Sequence, residues 1–337
     1  MANRDIIAIG TSAGGVDALQ FLAARLPPDL PASILITIHL AKEFRSVLDD
    51  LLSRAGPLPA SFATDGEPLR KGHIYIAPPD RHLLVENDRF LLGAGPRENN
   101  ARPAIDPMLR SVALCCGPRA VGVVLTGTLG DGASGLWAIE KCGGFSVVQN
   151  PADAAFPDMP ENALRIMRPD HVVRLKDLAP LLESLAHQPA GEPVEAPEQI
   201  RFEVEIAKAG HSNMDEMDRF GRRSVLACPD CHGVMWEIDE GDLIRYRCHV
   251  GHTYTAELMD VAVDENLRRA LASAVRALEE KVALARKLRK QAIDSGHIHV
   301  QDTWGERVRE YQRELDVVRD AMLRMEAIAA KAAKAAE

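Results

Sequence analysis

The stretch IIAIGTSAGG, residues 6–15, decides how this chain is read. A run of β-branched residues ends at a glycine-flanked Ser12, and a helix-like segment begins at Val16. The frame Gly10-Thr11-Ser12-Ala13-Gly14 is a GxSxG turn between strand and helix, the setting that a nucleophile elbow requires. A hydroxyl at such a turn projects from the end of a sheet while nearby backbone N–H groups stay available to an oxyanion. A glycine-rich turn at a helix start is equally suited to cradling a phosphate, so the segment alone leaves both chemistries open.

Outward from this turn, short apolar runs alternate with helix-like stretches to about residue 187. This pattern predicts an α/β fold: a doubly wound, mostly parallel sheet with flanking helices. Strands are expected at 6–10, 33–38, 74–77, 120–126 and 145–149, and helices at 16–26, 44–52, 106–116, 135–142 and 160–166. Leu19, Leu22 and Leu26 recur at helical spacing. Residues 1–187 are thus expected to form one domain, the catalytic one if a nucleophile sits at the Ser12 turn. QPAGEPVEAPEQ, residues 188–199, is rich in Pro, Ala and Glu without apolar periodicity, and opens an expected linker over 188–221.

Beyond it a small Cys/His module is expected at 222–258 and a long antiparallel helical hairpin at 259–337. Val308, Tyr311, Leu315, Val318, Met322, Met325 and Ala329 alternate steps of three and four, a heptad seam. Leu271, Val275, Leu278, Val282 and Ala285 form a matching line, and the break falls at Asp294-Ser295-Gly296-His297. Docking onto another helical bundle is the sharper reading of the same seam.

The 337 residues are 46% hydrophobic and 26% charged, a globular composition too long for one ordinary domain. A formal net charge of -9 argues against a protein that grips phosphate backbones, so no nucleic-acid partner is expected. The N-terminus has no signal-peptide pattern and no run of 18 apolar residues occurs, giving the expectation of a cytoplasmic chain without membrane insertion. Cys115, Cys116 and Cys142 sit in apolar segments and read as buried reduced thiols.

In an open parallel sheet, reactive groups gather beyond the carboxyl ends of the strands. Ser12 follows the first strand, His39 follows SILITI, and Asp131 lies in the loop after VGVVLT. Hydroxyl, imidazole and carboxylate are the parts of a serine-histidine-aspartate triad: nucleophile, proton carrier and orienting group. Singly, His39 reads as a strand-end histidine and Asp131-Gly132 as a turn. The order Ser, His, Asp also differs from the Ser, Asp, His order of the α/β-hydrolases, so GxSxG does not import that fold.

Together, IGTSAGG, the His39 strand end, DGEPLRKGHIYIAPPDRHL at 65–83, Arg102-Pro103 with Asp106, LTGTLGDGASG at 125–135 and Asp158-Met159-Pro160 resemble the CheB-type chemotaxis receptor methylesterases. The resemblance spans about residues 5–185 with the motifs in order. It implies a serine hydrolase that cleaves γ-glutamyl methyl esters on receptor cytoplasmic helices to glutamate and methanol, commonly also deamidating receptor glutamines, without a cofactor for catalysis. It implies Ser12 as nucleophile, His39 as general base and acid, Asp131 as orienting carboxylate, and the backbone N–H groups of Ala13 and Thr128 as oxyanion hole. Two departures stand out: Leu129 where the family usually has glycine, and Ile38 where it commonly has glutamine. No receiver-like segment precedes the first strand, so control other than by a receiver in cis is expected.

Cys228 and Cys231 form a CxxC, and Cys248 with His252 a CxxxH, a spacing suited to a structural, tetrahedral zinc ion in a ribbon-like module. His232 and His249 are nearby substitutes that sequence leaves open. The CxVGHxY segment is similar to that of extended, receiver-less members of the same esterase group, where a zinc ribbon and helical tail follow the catalytic domain. Expected partners are methyl-accepting receptors and a histidine kinase or methyltransferase of the same pathway. The alternative reading is a non-enzymatic signalling scaffold built on a degenerate esterase domain.

Overall fold

The computed structural model describes residues 2–39, 47–210, 214–240 and 243–336, except for the side chains of residues 209 and 329–336. Two compact units are present, Met1–Met259 and Asp260–Glu337. The first begins with the elements β1 (Ile6–Thr11), α1 (Gly15–Ala23), β2 (Ser33–Ile38), α2 (Leu48–Ala55), β3 (Ala60–Phe62), β4 (His73–Ile76), β5 (His82–Glu86), β6 (Arg89–Gly93), α3 (Ile105–Cys116), β7 (Ala120–Val124), α4 (Ala133–Lys141), β8 (Phe145–Gln149), α5 (Asp158–Ile166), β9 (His171–Val173) and α6 (Leu175–Ala186). Seven strands form one parallel sheet in the order β3-β4-β2-β1-β7-β8-β9, and β5 and β6 form a separate hairpin. All five expected strands are present.

Both faces of the sheet are covered, so its central strands carry apolar residues continuously. Ile6 and Ala8 of β1 join Met108, Leu109 and Val112 of α3 and Leu136 and Ile139 of α4 on one side. Ile7 and Ile9 join Leu19 and Leu22 of α1 and Leu182 and Leu185 of α6 on the other. Part of the helix expected at 44–52 lies outside the described residues; its remainder falls within α2. Strand order reverses at β1, with β2 on one side and β7 on the other, so a switch-point crevice opens at the carboxyl ends of these strands.

The stretch read as a linker has two parts. Residues 188–197 carry no regular element, though Ala190 N–H donates to Ala2 O at 2.7 Å. From Glu198 the chain is ordered into α7 (Glu198–Ala209), followed by α8 (Met214–Phe220). Pro197 precedes the first helical residue, and Ile200, Val204 and Ala207 bury one face against α3 and β6. That apolar repeat begins just beyond the Pro-rich stretch, which is why composition concealed it. A four-stranded antiparallel sheet follows: β10 (Arg222–Ala227), β11 (Val234–Glu240), β12 (Leu243–Cys248) and β13 (Thr253–Thr255).

This module is joined to the parallel-sheet core by buried charge. Arg110 of α3 pairs with Glu98 and with Glu203 of α7 at 2.8 Å. Arg245 and Arg247 of β12 both reach Glu203, Arg245 also pairs with Glu240, and Arg247 meets Glu98 at 3.1 Å. All six side chains are at most 2% exposed. Burial alone would raise the Glu203 carboxyl, but the surrounding guanidinium groups hold it down to about 2.

The second unit is an antiparallel hairpin formed by α9 (Ala256–Asp294) from Asp260 onward and by α10 (Ile298–Ala336). Arg319 pairs with Glu279, Arg286 with Gln312 at 3.2 Å, and Lys281 lies 4.8 Å from the Tyr311 ring centroid. The seam residues Val282, Ala285 and Leu315 are buried, while the side chain of Ala329 lies outside the described set. No helix among the described residues is long and apolar enough to cross a membrane. Glu203→Ala would leave three buried guanidinium groups sharing two carboxylates, Glu98 and Glu240, and a loss of about 3–5 kcal/mol is expected. The check is the urea midpoint of the full chain beside wild type.

Candidate active site

Ser12 stands one residue beyond β1 because the chain must turn sharply into α1. Gly14 takes φ 73° there, a left-handed conformation that costs a side-chain-bearing residue about 1–2 kcal/mol. Ser12 N–H donates to Thr126 O at 3.0 Å, and Thr126 Oγ1 donates to Ala13 O at 3.0 Å, tying the elbow to the loop after β7. Gly127 in that loop lies between Met159 and Ser12: a Cβ on it would stand 2.1 Å from Met159 Sδ. The Asp158-Met159-Pro160 segment thereby shapes the floor of the crevice.

The structure brings Ser12, His39 and Asp131 into one hydrogen-bonded line. Ser12 Oγ lies 3.1 Å from His39 Nδ1, and His39 Nε2 lies 2.7 Å from Asp131 Oδ2. With the ring hydrogen on Nε2 donated to the carboxylate, Nδ1 is left to accept from the serine hydroxyl. Ser12 and His39 are half-buried, whereas Asp131 is sealed from solvent.

Asp131 is fixed from several directions. Its Oδ2 also accepts from Ile105 N–H at 2.7 Å, and its Oδ1 from Asp106 N–H at 3.1 Å and Asn99 Nδ2 at 3.0 Å. Ile105 and Asp106 open α3, so the carboxylate sits on the positive end of that helix. Burial would raise it, but hydrogen bonding and charge from His39, with the Ile105 and Asn99 donors, hold it down to about 2.

Asp106 answers in kind at α4, its Oδ1 accepting from Gly132 N–H at 3.0 Å and Gly135 N–H at 2.7 Å. Burial, with the Asp131 charge beside it, pushes Asp106 up to about 8, so near neutrality one carboxyl of the two carries the charge. Sequence reading placed Asp106 in a motif without a role and missed Asn99 altogether. The Asn99-Asn100 pair, both with positive φ, was the available signal, since asparagine tolerates that conformation.

Ala13 N–H and Thr128 N–H make no hydrogen bond among the described residues. Leu129 adopts φ 66°, the conformation a glycine would take freely, and Asn162 Nδ2 holds its carbonyl at 2.8 Å. Leucine therefore holds a left-handed conformation here at a cost in strain.

Within the small module, Cys228, Cys231, Cys248 and His252 present ligand atoms all within 4.8 Å of one another, and could hold a metal ion. Cys231 Sγ to Cys248 Sγ is 3.6 Å, and His252 Nδ1 lies 3.5 Å from Cys248 Sγ and 3.7 Å from Cys228 Sγ. Tetrahedral ligands at metal–sulfur distances of about 2.3 Å stand roughly 3.5–3.8 Å apart, so the four atoms fit one ion. His232 and His249 are not in that group. Cys116 and Cys142 are buried as expected; Cys115 is half-buried and, with Cys116 and Asp88, forms a second close group among the described residues.

Known proteins resemble the chain over the parallel-sheet core. The CheB methylesterase family model matches residues 7–182. The chain is 37% identical over 183 residues to a protein-glutamate methylesterase/protein-glutamine glutaminase of Yersinia pestis bv. Antiqua (strain Antiqua), covering 53% of this chain and 52% of that one. It is 37% identical over 187 residues to protein-glutamate methylesterase/protein-glutamine glutaminase 1 of Xanthomonas euvesicatoria pv. vesicatoria, covering 54% and 52%. The chain thus spans about half the length of the curated relatives it matches. The crystal structure of the Thermotoga maritima CheB methylesterase catalytic domain superposes with a TM-score of 0.53 at 29% identity, covering 55% of this chain and 100% of that one. With the family model spanning more than half of the sequence, the chain belongs to the CheB methylesterase family.

Proposed function

We propose that the chain is a protein-glutamate methylesterase acting on the cytoplasmic helices of methyl-accepting receptors, and that it also deamidates receptor glutamines. The observation that carries this reading is the line from Ser12 through His39 to Asp131 at the switch point of the sheet. The names of the relatives supply the substrate class.

Ser12 Oγ attacks the ester carbonyl as His39 Nδ1 takes the hydroxyl proton, and the oxyanion is received by Ala13 and Thr128 N–H. Asp131, ionised across the working pH range, stabilises the imidazolium by accepting from Nε2. Collapse expels the methoxy group, which leaves as methanol with the proton from His39. Water, deprotonated by His39, then cleaves the acyl-serine, freeing glutamate and regenerating the hydroxyl. With an amide substrate ammonia leaves instead.

The three thiolates and one imidazole, a donor set with no carboxylate, support zinc in a structural role, where it would cross-link the two knuckles of a module too small for a large apolar core. The tail is assigned to partner contact, with a receptor, histidine kinase or methyltransferase of the same cytoplasmic pathway. A scaffold without activity is the less favoured reading, because Leu129 keeps the left-handed loop that its substitution for glycine put in question.

Methanol release from a methylated receptor panel tests the proposal. Ser12→Ala is expected to lower the rate by at least about a thousandfold, and equal release by wild type and variant would overturn it. Leu129→Gly should relieve left-handed strain, raising stability by up to about 1 kcal/mol by thermal melting. Purified protein should carry about one zinc per chain by elemental analysis. Chelation should then red-shift emission from Trp236, which is buried and donates to Asp218 at 2.7 Å.

A further inference from the structure

Asn99 occupies a position that the triad alone does not explain. The residue is 7% exposed, and its Nδ2 donates to Asp131 Oδ1 and to Asp106 Oδ2, each at 3.0 Å. Only the amino end of an amide can serve two carboxyl acceptors, so the orientation of the group is fixed. One hydrogen keeps Asp131 aligned with His39, and the other ties that alignment to the carboxyl that caps α4.

What holds Asn99 is the small module. Its backbone N–H donates to Thr253 O of β13 at 2.8 Å, and Thr253 N–H returns to Arg97 O at 3.4 Å. Glu98 pairs through its carboxylate with Arg247 of β12. Pro96 packs against Gly251, where a Cβ would stand 2.5 Å from Pro96 Cγ. Backbone pairing, a buried ion pair and steric contact thus clamp residues 96–99 onto the module. Asn99 keeps φ 50° under this clamp, and Thr253 directly follows His252 in the chain. Thr255 Cγ2 also reaches the Gly130 site, one residue from Asp131.

We propose that Asn99 is a positioning residue of the triad, and that strand β13 of the Cys/His module completes the catalytic centre by holding it in place. The module then acts on chemistry at Ser12 through a donor to Asp131, a role separate from any contact with partners. This rests on the methylesterase reading, and is tested by a readout that needs no substrate.

The full-length chain is compared as wild type, Asn99→Gly and Asn99→Asp. Glycine accepts the left-handed backbone and keeps the N–H to Thr253 but removes the side-chain donor; aspartate keeps size and shape but reverses the hydrogen-bonding sense. Both are expected to lower kcat for ester hydrolysis by on the order of ten- to a hundredfold with KM within about twofold. Both should also shift or abolish the downfield proton resonance of the His39–Asp131 hydrogen bond, assigned by its loss in His39→Ala.

In a third arm, zinc is removed from wild type by chelation, and loss of that resonance together with Trp236 burial is expected. Wild-type kcat and resonance in Asn99→Asp would overturn the donor role. An unchanged resonance in metal-free protein whose Trp236 has become exposed would overturn the role of β13. If wild type hydrolyses no ester, the methylesterase reading fails while the resonance still decides whether Asn99 aligns the triad.

Discussion

Two aspartates exchange helix caps, and the catalytic geometry depends on that exchange. Asp131, in the loop before α4, receives the first N–H groups of α3; Asp106, at the start of α3, receives those of α4. Each helix fixes the residue that terminates the other, so the loop carrying Asp131 cannot shift without uncapping both. The arrangement also settles charge. Two buried carboxyls sharing one environment cannot both ionise cheaply, and the hydrogen bonds of His39 and α3 select Asp131 as the charged member.

The elements around this pair follow from ordinary constraints. Continuous apolar runs in β1, β2 and β7 require cover on both faces, and that requirement sets the doubly wound topology. The topology in turn puts the ends of these three strands side by side. A serine on a glycine turn, a histidine at a strand end and an aspartate in a loop become neighbours although His39 and Asp131 are 92 positions apart.

Much of this was legible before any coordinates. The five expected strands, the meeting of Ser12, His39 and Asp131, and the spacing of Cys228, Cys231, Cys248 and His252 were all readable, because strand patterning and ligand spacing are local signals. The β5–β6 hairpin was readable in principle from Asn87-Asp88 between two short apolar runs, as both residues adopt positive φ. Asn99 offered only the local signal of its asparagine pair, since its importance lies in two acceptors brought to it by a helix and a loop and one carbonyl supplied from residue 253. Glu203 was hidden similarly: a glutamate on an amphipathic helix looks solvated until three arginines from distant segments surround it.

The joint between the parallel-sheet core and the small module is made of Arg110, Arg245 and Arg247 facing Glu98, Glu203 and Glu240. An apolar joint tolerates many partners of similar volume, whereas this one works as a polar code in which every charge must find its opposite. Its two sides are consequently a matched set. A ribbon from another protein, however similar in shape, would bring uncompensated charge into the joint, so core and ribbon can drift in sequence only together.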